Sequence, residues 1–164
     1  MKLLIAMILL FSCGNAQQVI CQVPASPRPP FKAPADAKFI NGRWFAAIME
    51  KLDWNRAKSK CEALGGRLAI IRDEDTWKKI LTLTPSTVWL GATDSKTEGQ
   101  WRWVDDSLVT FTVWVPGQPD NQYGIEHYLS TWKGGWNDRV REWDAGASGH
   151  DNPVVGYICE WPAK

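Results

Sequence analysis

Five side chains that carry oxygen fall within 21 residues toward the C-terminal end of the chain: Gln118, Asp120, Glu126, Asn137 and Asp138. Two of them flank a proline, as Gln118-Pro119-Asp120. Glu126 follows six residues on, and Trp136-Asn137-Asp138 closes the group. All five are hard oxygen donors, and the set contains no Cys or His. That composition suits calcium and disfavours zinc or copper. Three of the five can ionise, enough to hold a divalent cation yet leave it short of neutral donors. Such a cation can take its remaining oxygens from outside, for example from two neighbouring hydroxyls of a sugar.

The elements that must position these residues are legible in part. Phe39-Ile40 and Arg43 to Met49 read as opening strands, with Asn41-Gly42 as the turn between them. Asp53 is suited to cap a helix running to about Leu64, and Gly65-Gly66 ends it. Trp54, Ala57, Cys61 and Leu64 fall at helical spacing and predict an inward face. A second helix is expected from about Asp73 to Leu81, with Trp77, Ile80 and Leu81 inward. Val88 to Ala92 reads as a central strand and Trp101 to Val104 as a shorter one. From Asp105 to Gly135 the periodicity is lost and Gly, Pro, Asn, Asp and Ser abound, which marks a long loop. A loop of that length in a small domain usually carries function. Tyr128 to Trp132 and Val154 to Trp161 are the expected returning strands.

Composition narrows the classes further. The 164 residues suffice for one domain with a real core. Residues 1–16 read as a secretory signal: Lys2, an apolar stretch from Leu3 to Phe11, and Gly14-Asn15-Ala16 as the cleavage site. The apolar stretch is too short to span a bilayer, so no membrane span is expected. Without the leader the chain has 18 basic and 18 acidic residues, and no basic field to attract nucleic acid. Residues 17–37 form a proline-rich linker, and the folded domain is expected over 38–164. Three cysteines remain after the leader: Cys21, Cys61 and Cys159. The odd one of a secreted chain either pairs with another molecule or stays a thiol.

Six short motifs occur in order over residues 38–161: Trp54…Ala57-x3-Cys61, Val88-Trp89-Leu90-Gly91, Gly99-Gln100-Trp101-x-Trp103, Trp114-x3-Gln118-Pro119-Asp120, Trp136-Asn137-Asp138 and Tyr157-Ile158-Cys159-Glu160. In these the chain resembles the C-type lectin-like domain family. The resemblance implies an α+β fold of two helices, two small antiparallel sheets and a long calcium-binding loop. It implies a disulfide between Cys61 and Cys159, and leaves Cys21 for a homodimer or a free thiol. Positions of a second family disulfide hold Tyr128 and Arg141, so that bridge is absent. It also implies a cis bond before Pro119, and calcium held by Gln118, Asp120, Glu126, Asn137 and Asp138. A second ion is not expected, because Asn121 and His127 stand at positions that would serve it. The Gln-Pro-Asp order is associated with galactose-type sugars, the reverse of the Glu-Pro-Asn order associated with mannose. Tyr123 and Trp132 are the nearby aromatics that can stack on a sugar, core packing being the alternative for each. His127 reads as a solvated loop residue. The function implied is secreted, calcium-dependent binding of galactose or N-acetylgalactosamine on cell-surface glycoconjugates, which in an animal fits innate immunity. The alternative is a protein- or surface-binding module with sugar binding lost. The segment 139–153 is longer than the family usually has and has no assigned role.

Nothing in the chain argues for an enzyme. Ser148, His150 and Asp151 are too close in sequence to form a relay, and no Gly-x-Ser-x-Gly elbow is present. With two histidines and no His-Glu-x-x-His motif, a zinc hydrolase is not indicated.

Overall fold

Residues 28–142 and 153–162 are described by the computed structural model of the chain. The expected leader, Cys21, the Ser148-His150-Asp151 stretch and most of the 139–153 segment lie outside the described residues. Strands β1 (Lys38–Ile40) and β2 (Arg43–Ile48) form a hairpin. Its turn residues Asn41 and Gly42 both take the left-handed conformation, with φ of 48° and 80°. Helix α1 covers Trp54–Ala63, and Asp53 caps it by accepting a hydrogen bond from Arg56 N at 3.0 Å. Gly65, at φ 74°, ends it. After β3 (Arg67–Leu68) comes α2 (Glu74–Ile80), capped by Asp73, which accepts from Thr76 N at 2.7 Å. Then follow β4 (Val88–Thr93), β5 (Arg102–Trp103), β6 (Tyr128–Trp132), β7 (Gly135–Arg139) and β8 (Gly156–Pro162).

The strands run in the order β1-β2-β8-β4-β6-β7, with β3 added to β8 and β5 to β4. The two antiparallel groups expected from sequence are joined into one mixed sheet. The join is a parallel pairing of β4 with β8, Val88 opposite Gly156 and Trp89 opposite Tyr157. Strand β8 is the centre of this arrangement. It pairs with β2 from Arg43↔Pro162 to Ile48↔Tyr157, and with β3 and β4 as well. Its residues from Gly156 to Trp161 are accordingly all buried. Gly91 of β4 passes so close to β3 that a Cβ there would meet the Leu68 carbonyl oxygen at 2.7 Å.

Two apolar clusters fill the interior. One gathers Trp54, Ala57, Cys61, Leu68, Trp89, Tyr157 and Trp161 around α1 and β8. The Cys61–Cys159 disulfide lies within it, with Cα atoms 5.4 Å apart and a sequence separation of 98. Closing a loop of that length stabilises the fold by about 4–5 kcal/mol in the chain-entropy picture. The other cluster gathers Phe45, Ile70, Trp77, Leu90, Trp103, Leu129 and Trp136 under the long loop.

One carboxylate in the central strand is fully buried. Glu160 accepts from Arg43 Nη1 at 2.6 Å, Arg67 Nε at 2.7 Å and Ile70 N at 3.1 Å. It thereby ties β2, β3 and the segment after β3 to β8. Removing one partner of a buried ion pair typically costs about 3–5 kcal/mol. Glu160→Ala is expected near the lower end, about 3 kcal/mol, because both arginines keep some exposure. Urea unfolding should show a lower midpoint with an unchanged slope.

Candidate calcium and ligand site

The loop between β5 and β6 is positioned by Trp136 of β7. This indole is fully buried. The rings of Trp77, Trp103, Phe111 and Trp114 meet it edge-on, with centroids 5.7–5.9 Å away. Its backbone holds the loop directly: Trp136 N donates to Val113 O at 2.8 Å, and Val115 N donates to Trp136 O at 2.9 Å. From Val115 the chain turns, Gln118 N donating back to Val115 O at 2.9 Å. The Gln118–Pro119 bond is cis. The residue that precedes Asn137 and Asp138 therefore also places Gln118 and Asp120.

All five oxygen-bearing residues come together. Carboxylate oxygens of Asp120, Glu126 and Asp138 lie within 4.8 Å of one another. Asp138 is fully buried, and its two oxygens accept from Asp120 N at 3.3 Å and Asn121 N at 2.7 Å. Asn121, left-handed at φ 42°, accepts from Glu126 N at 3.0 Å through its own side chain. Asn137 Nδ2 donates to Asp138 O at 2.7 Å, which leaves the Asn137 amide oxygen on the cluster side. The Gln118 amide lies against Asp120, Asn137 and Asp138. With its oxygen inward it faces acceptors only; with its nitrogen inward it stands 2.7 Å from Asn137 Oδ1 and 3.2 Å from Asp120 Oδ1.

So many acceptors at one point require either a donor or a cation among them. The donor set is all oxygen and carries three carboxylates, which fits calcium. Gln118, Asp120, Glu126, Asn137 and Asp138 would hold the ion. Burial pushes the Asp138 carboxyl above the ordinary aspartate range, and the neighbouring Asp120 charge adds to this. The hydrogen bonds from Asn121 and Asp120 oppose it.

Arg139 was not anticipated as part of this site. It is 3% exposed, and its Nε and Nη2 take no hydrogen bond among the described residues. Burial disfavours its charge, while the fields of Glu126 and Asp138 favour it. The available sequence signal is a cation directly after Trp136-Asn137-Asp138, at the head of the 139–153 segment that has no assigned role.

A second group gathers alongside. Asp94, Glu98 and His127 bring ligand atoms within 4.8 Å of one another. His127 Nδ1 lies 3.1 Å from Asp94 Oδ1 and 3.3 Å from Glu98 Oε2. Asn121 Nδ2 donates to Glu98 Oε2 at 2.5 Å, and Gly99 N to Asp94 Oδ2 at 2.8 Å. His127 and Asn121 thus bridge to the loop after β4. The expectation that His127 is merely solvated is corrected: it is partly buried against two carboxylates from another part of the chain.

The two candidate aromatics part company. Tyr123 lies in the loop between Asp120 and Glu126, is 81% exposed, and takes a left-handed φ of 58°. Trp132 ends β6 at the hairpin opposite Gly135, whereas Ser130 and Leu129 stand opposite Asn137 and Asp138. Its ring lies under the Lys133 ammonium at 4.2 Å, and it lines a cavity with Thr84–Val88 and the end of α2. The structure does not bring it to the cluster. At the positions of the absent second bridge, Tyr128 packs its ring 5.2 Å from that of Trp54, and Arg141 O accepts from Trp54 N at 3.0 Å.

Two short helices on a mixed sheet, a disulfide from first helix to last strand, and a cis-proline loop gathering five oxygen side chains define a C-type lectin-like domain. The lectin C-type domain profile matches residues 50–160, and the chain belongs to that family. It is 32% identical over 129 residues to hepatic lectin of Gallus gallus, covering 76% of this chain and 58% of that protein. The solved carbohydrate-recognition domain of mouse scavenger receptor C-type lectin superposes with a TM-score of 0.67 at 27% identity, covering 80% of this chain and 98% of that one. Type II antifreeze protein of herring does so with a TM-score of 0.67 at 26% identity, covering 80% of this chain and all of that one.

Two outcomes are expected of the ion site. Arg139→Met removes a fixed cation beside two ligands and should tighten calcium binding about tenfold, the equivalent of ~1.4 kcal/mol of relieved repulsion; terbium luminescence with calcium competition reads it directly. The pH dependence follows from Asp138. Its folded pKa lies above its unfolded value, so ionised Asp138 costs stability above the folded pKa, and that cost vanishes as pH falls through it. A bound cation favours the ionised carboxylate. Calcium affinity should therefore be full above the folded pKa and decline as pH drops through it, beginning above the ordinary aspartate value of 3.8. Calcium titrations at stepped pH check this.

Proposed function

We propose that this chain is a secreted, calcium-dependent lectin for terminal galactose or N-acetylgalactosamine on glycoconjugates. The observation that carries the reading is the convergence of Gln118, Asp120, Glu126, Asn137 and Asp138 around one point, with the amide before and the acid after the cis proline. Calcium, when bound, supplies coordination positions for two neighbouring sugar hydroxyls. The amides of Gln118 and Asn137 donate to those hydroxyls, and the carboxylates of Asp120 and Glu126 accept from them. Order matters because exchanging donor and acceptor exchanges the hydroxyl geometry that leaves no group unpaired. With the amide at 118 and the acid at 120, the axial 4-hydroxyl of galactose is favoured. Tyr123 stands exposed beside the ligands and offers a ring for the apolar face of the sugar. Trp132, at the turn end of the hairpin, is given no part.

Single sites of this kind bind weakly, so useful avidity requires several domains, and Cys21 beyond the linker is available for a homodimer. The leader at residues 1–16 supports secretion. Among the described residues no helix is long and apolar enough to cross a membrane. The second reading is a surface-binding module without sugar affinity. It is favoured by the likeness to herring antifreeze protein, which has the same fold.

A glycan array run with calcium and again with excess chelator decides between them. Chelator-sensitive binding to galactose-type termini is expected. Asp120→Ala should abolish it with the fold intact by circular dichroism. Gln118→Glu with Asp120→Asn should move preference toward mannose by about tenfold, the effect of one buried donor or acceptor left unpaired. Absence of binding to any glycan by a folded, multivalent sample would establish the second reading.

A further inference from the structure

We propose a second saccharide site on this chain, separate from the calcium loop, that takes a sugar bearing a sulfate or a carboxylate. It is the cavity of about 350 Å3 between the first turns of α1 and the segment from Thr93 to Asp106. Lys58 reaches it from α1, Lys96 from the loop after β4, and Arg102 from β5. Asp106 is the one carboxylate in its wall.

The positive charge there is poorly compensated. Lys96 stands 3.5 Å from Asp106, but both side chains are 83% exposed, so the pair is weak. Lys58 pairs at 2.8 Å with Glu62, which lies outside the cavity. Arg102 Nη1 donates to the Asp106 backbone oxygen at 2.8 Å, and its guanidinium makes no ion pair among the described residues. A half-buried guanidinium with spare N–H groups suits the paired oxygens of a sulfate or carboxylate.

The remaining wall is suited to a sugar ring rather than to a bare ion. Asn55, Ser95, Thr97 and Gln100 line it, and their side chains take no hydrogen bond among the described residues. They offer hydroxyl and amide groups that both donate and accept, while Trp54 and Trp103 supply apolar floor. None of the five oxygen residues of the calcium cluster lines this cavity. Its back wall is nevertheless bonded to the strand entry beside Glu126: His127 O accepts from Thr93 Oγ1 at 2.7 Å and from Asp94 N at 3.2 Å. The site stands beside the calcium loop and does not depend on it.

The test is an amide-resolved NMR titration of the full chain in excess chelator, with galactose 6-sulfate, glucuronic acid and neutral galactose as probes. Acidic sugars should shift the amides of Ser95, Thr97 and Arg102, and neutral galactose should not. Binding should weaken roughly fivefold in Arg102→Gln and in a Lys58→Gln, Lys96→Gln double variant. It should weaken again as salt rises from about 50 to about 300 mM. Asp120→Ala should leave it unchanged. A response to only one acidic probe supports the site and identifies its anion. Three results overturn it: no shift of these amides by either acidic sugar, an equal response to neutral galactose, or binding that appears only with calcium and is lost in Asp120→Ala. Failure of calcium-dependent galactose binding with these shifts intact would sink the lectin reading and leave this one standing.

Discussion

Three carboxylates whose oxygens lie within 4.8 Å of one another repel, and the folded chain must hold them there before any ion arrives. Much of the structure around the long loop serves that constraint. Asp138 is met by two backbone N–H groups from Asp120 and Asn121. Gln118 can turn its amide nitrogen onto the same oxygens, a neutral stand-in for a cation. Arg139 lies buried within the field of Glu126 and Asp138. Each device eases the repulsion without filling the centre. The cluster is thus tolerable without metal and would still gain from one, and extracellular modules that bind calcium at about 10⁻⁴–10⁻³ M have this character.

Rigidity under the cluster comes from aromatic packing rather than from backbone regularity. The loop itself is nearly free of repeating structure, holding only a 3-10 turn at Gln122–Gly124. Trp136, with four rings against its edges and two backbone bonds to the 113–115 segment, converts that irregular loop into a fixed object. On the other side of the sheet, Trp54 does related work. Its ring meets Tyr128, its N–H reaches Arg141, and its indole donates to Leu90 O at 2.8 Å. Tyr128 and Arg141 are thus tied to one another through Trp54.

Local chemistry made much of this legible in the sequence. Asp53 caps the helix it was expected to cap, because a cap depends on neighbours within three residues, and the second helix, expected from about Asp73, starts at Glu74 with Asp73 as its cap. The β6 strand ran from Tyr128 to Trp132 as its composition suggested. What stayed hidden was set by distant parts of the chain. The parallel pairing of β4 with β8 joins residues nearly seventy positions apart. Strand β3 is two residues long and carries no alternation of its own. Arg139 carries no mark in the sequence of the burial that the fold gives it. His127 gave no hint of Asp94 and Glu98, which lie 33 and 29 positions earlier. Trp132 and Tyr123 were indistinguishable as candidates, since a strand's facing, and the distance along a hairpin from the ligands, are read only once register is known.

The disulfide has a mechanical consequence. Residues 61 to 159 form a covalent ring that contains both helical caps of α2, the long loop and all five oxygen residues. Tension applied to the flanks of that ring passes through the sulfur bridge and the paired strands β2 and β8, where Arg43 faces Pro162. It cannot pull the loop open without breaking a covalent bond. A force applied at the oxygen cluster would enter elsewhere, through β7 and Trp136, and meet packed core first. Force on the flanking chain and force at the oxygen cluster therefore follow separate routes through the fold.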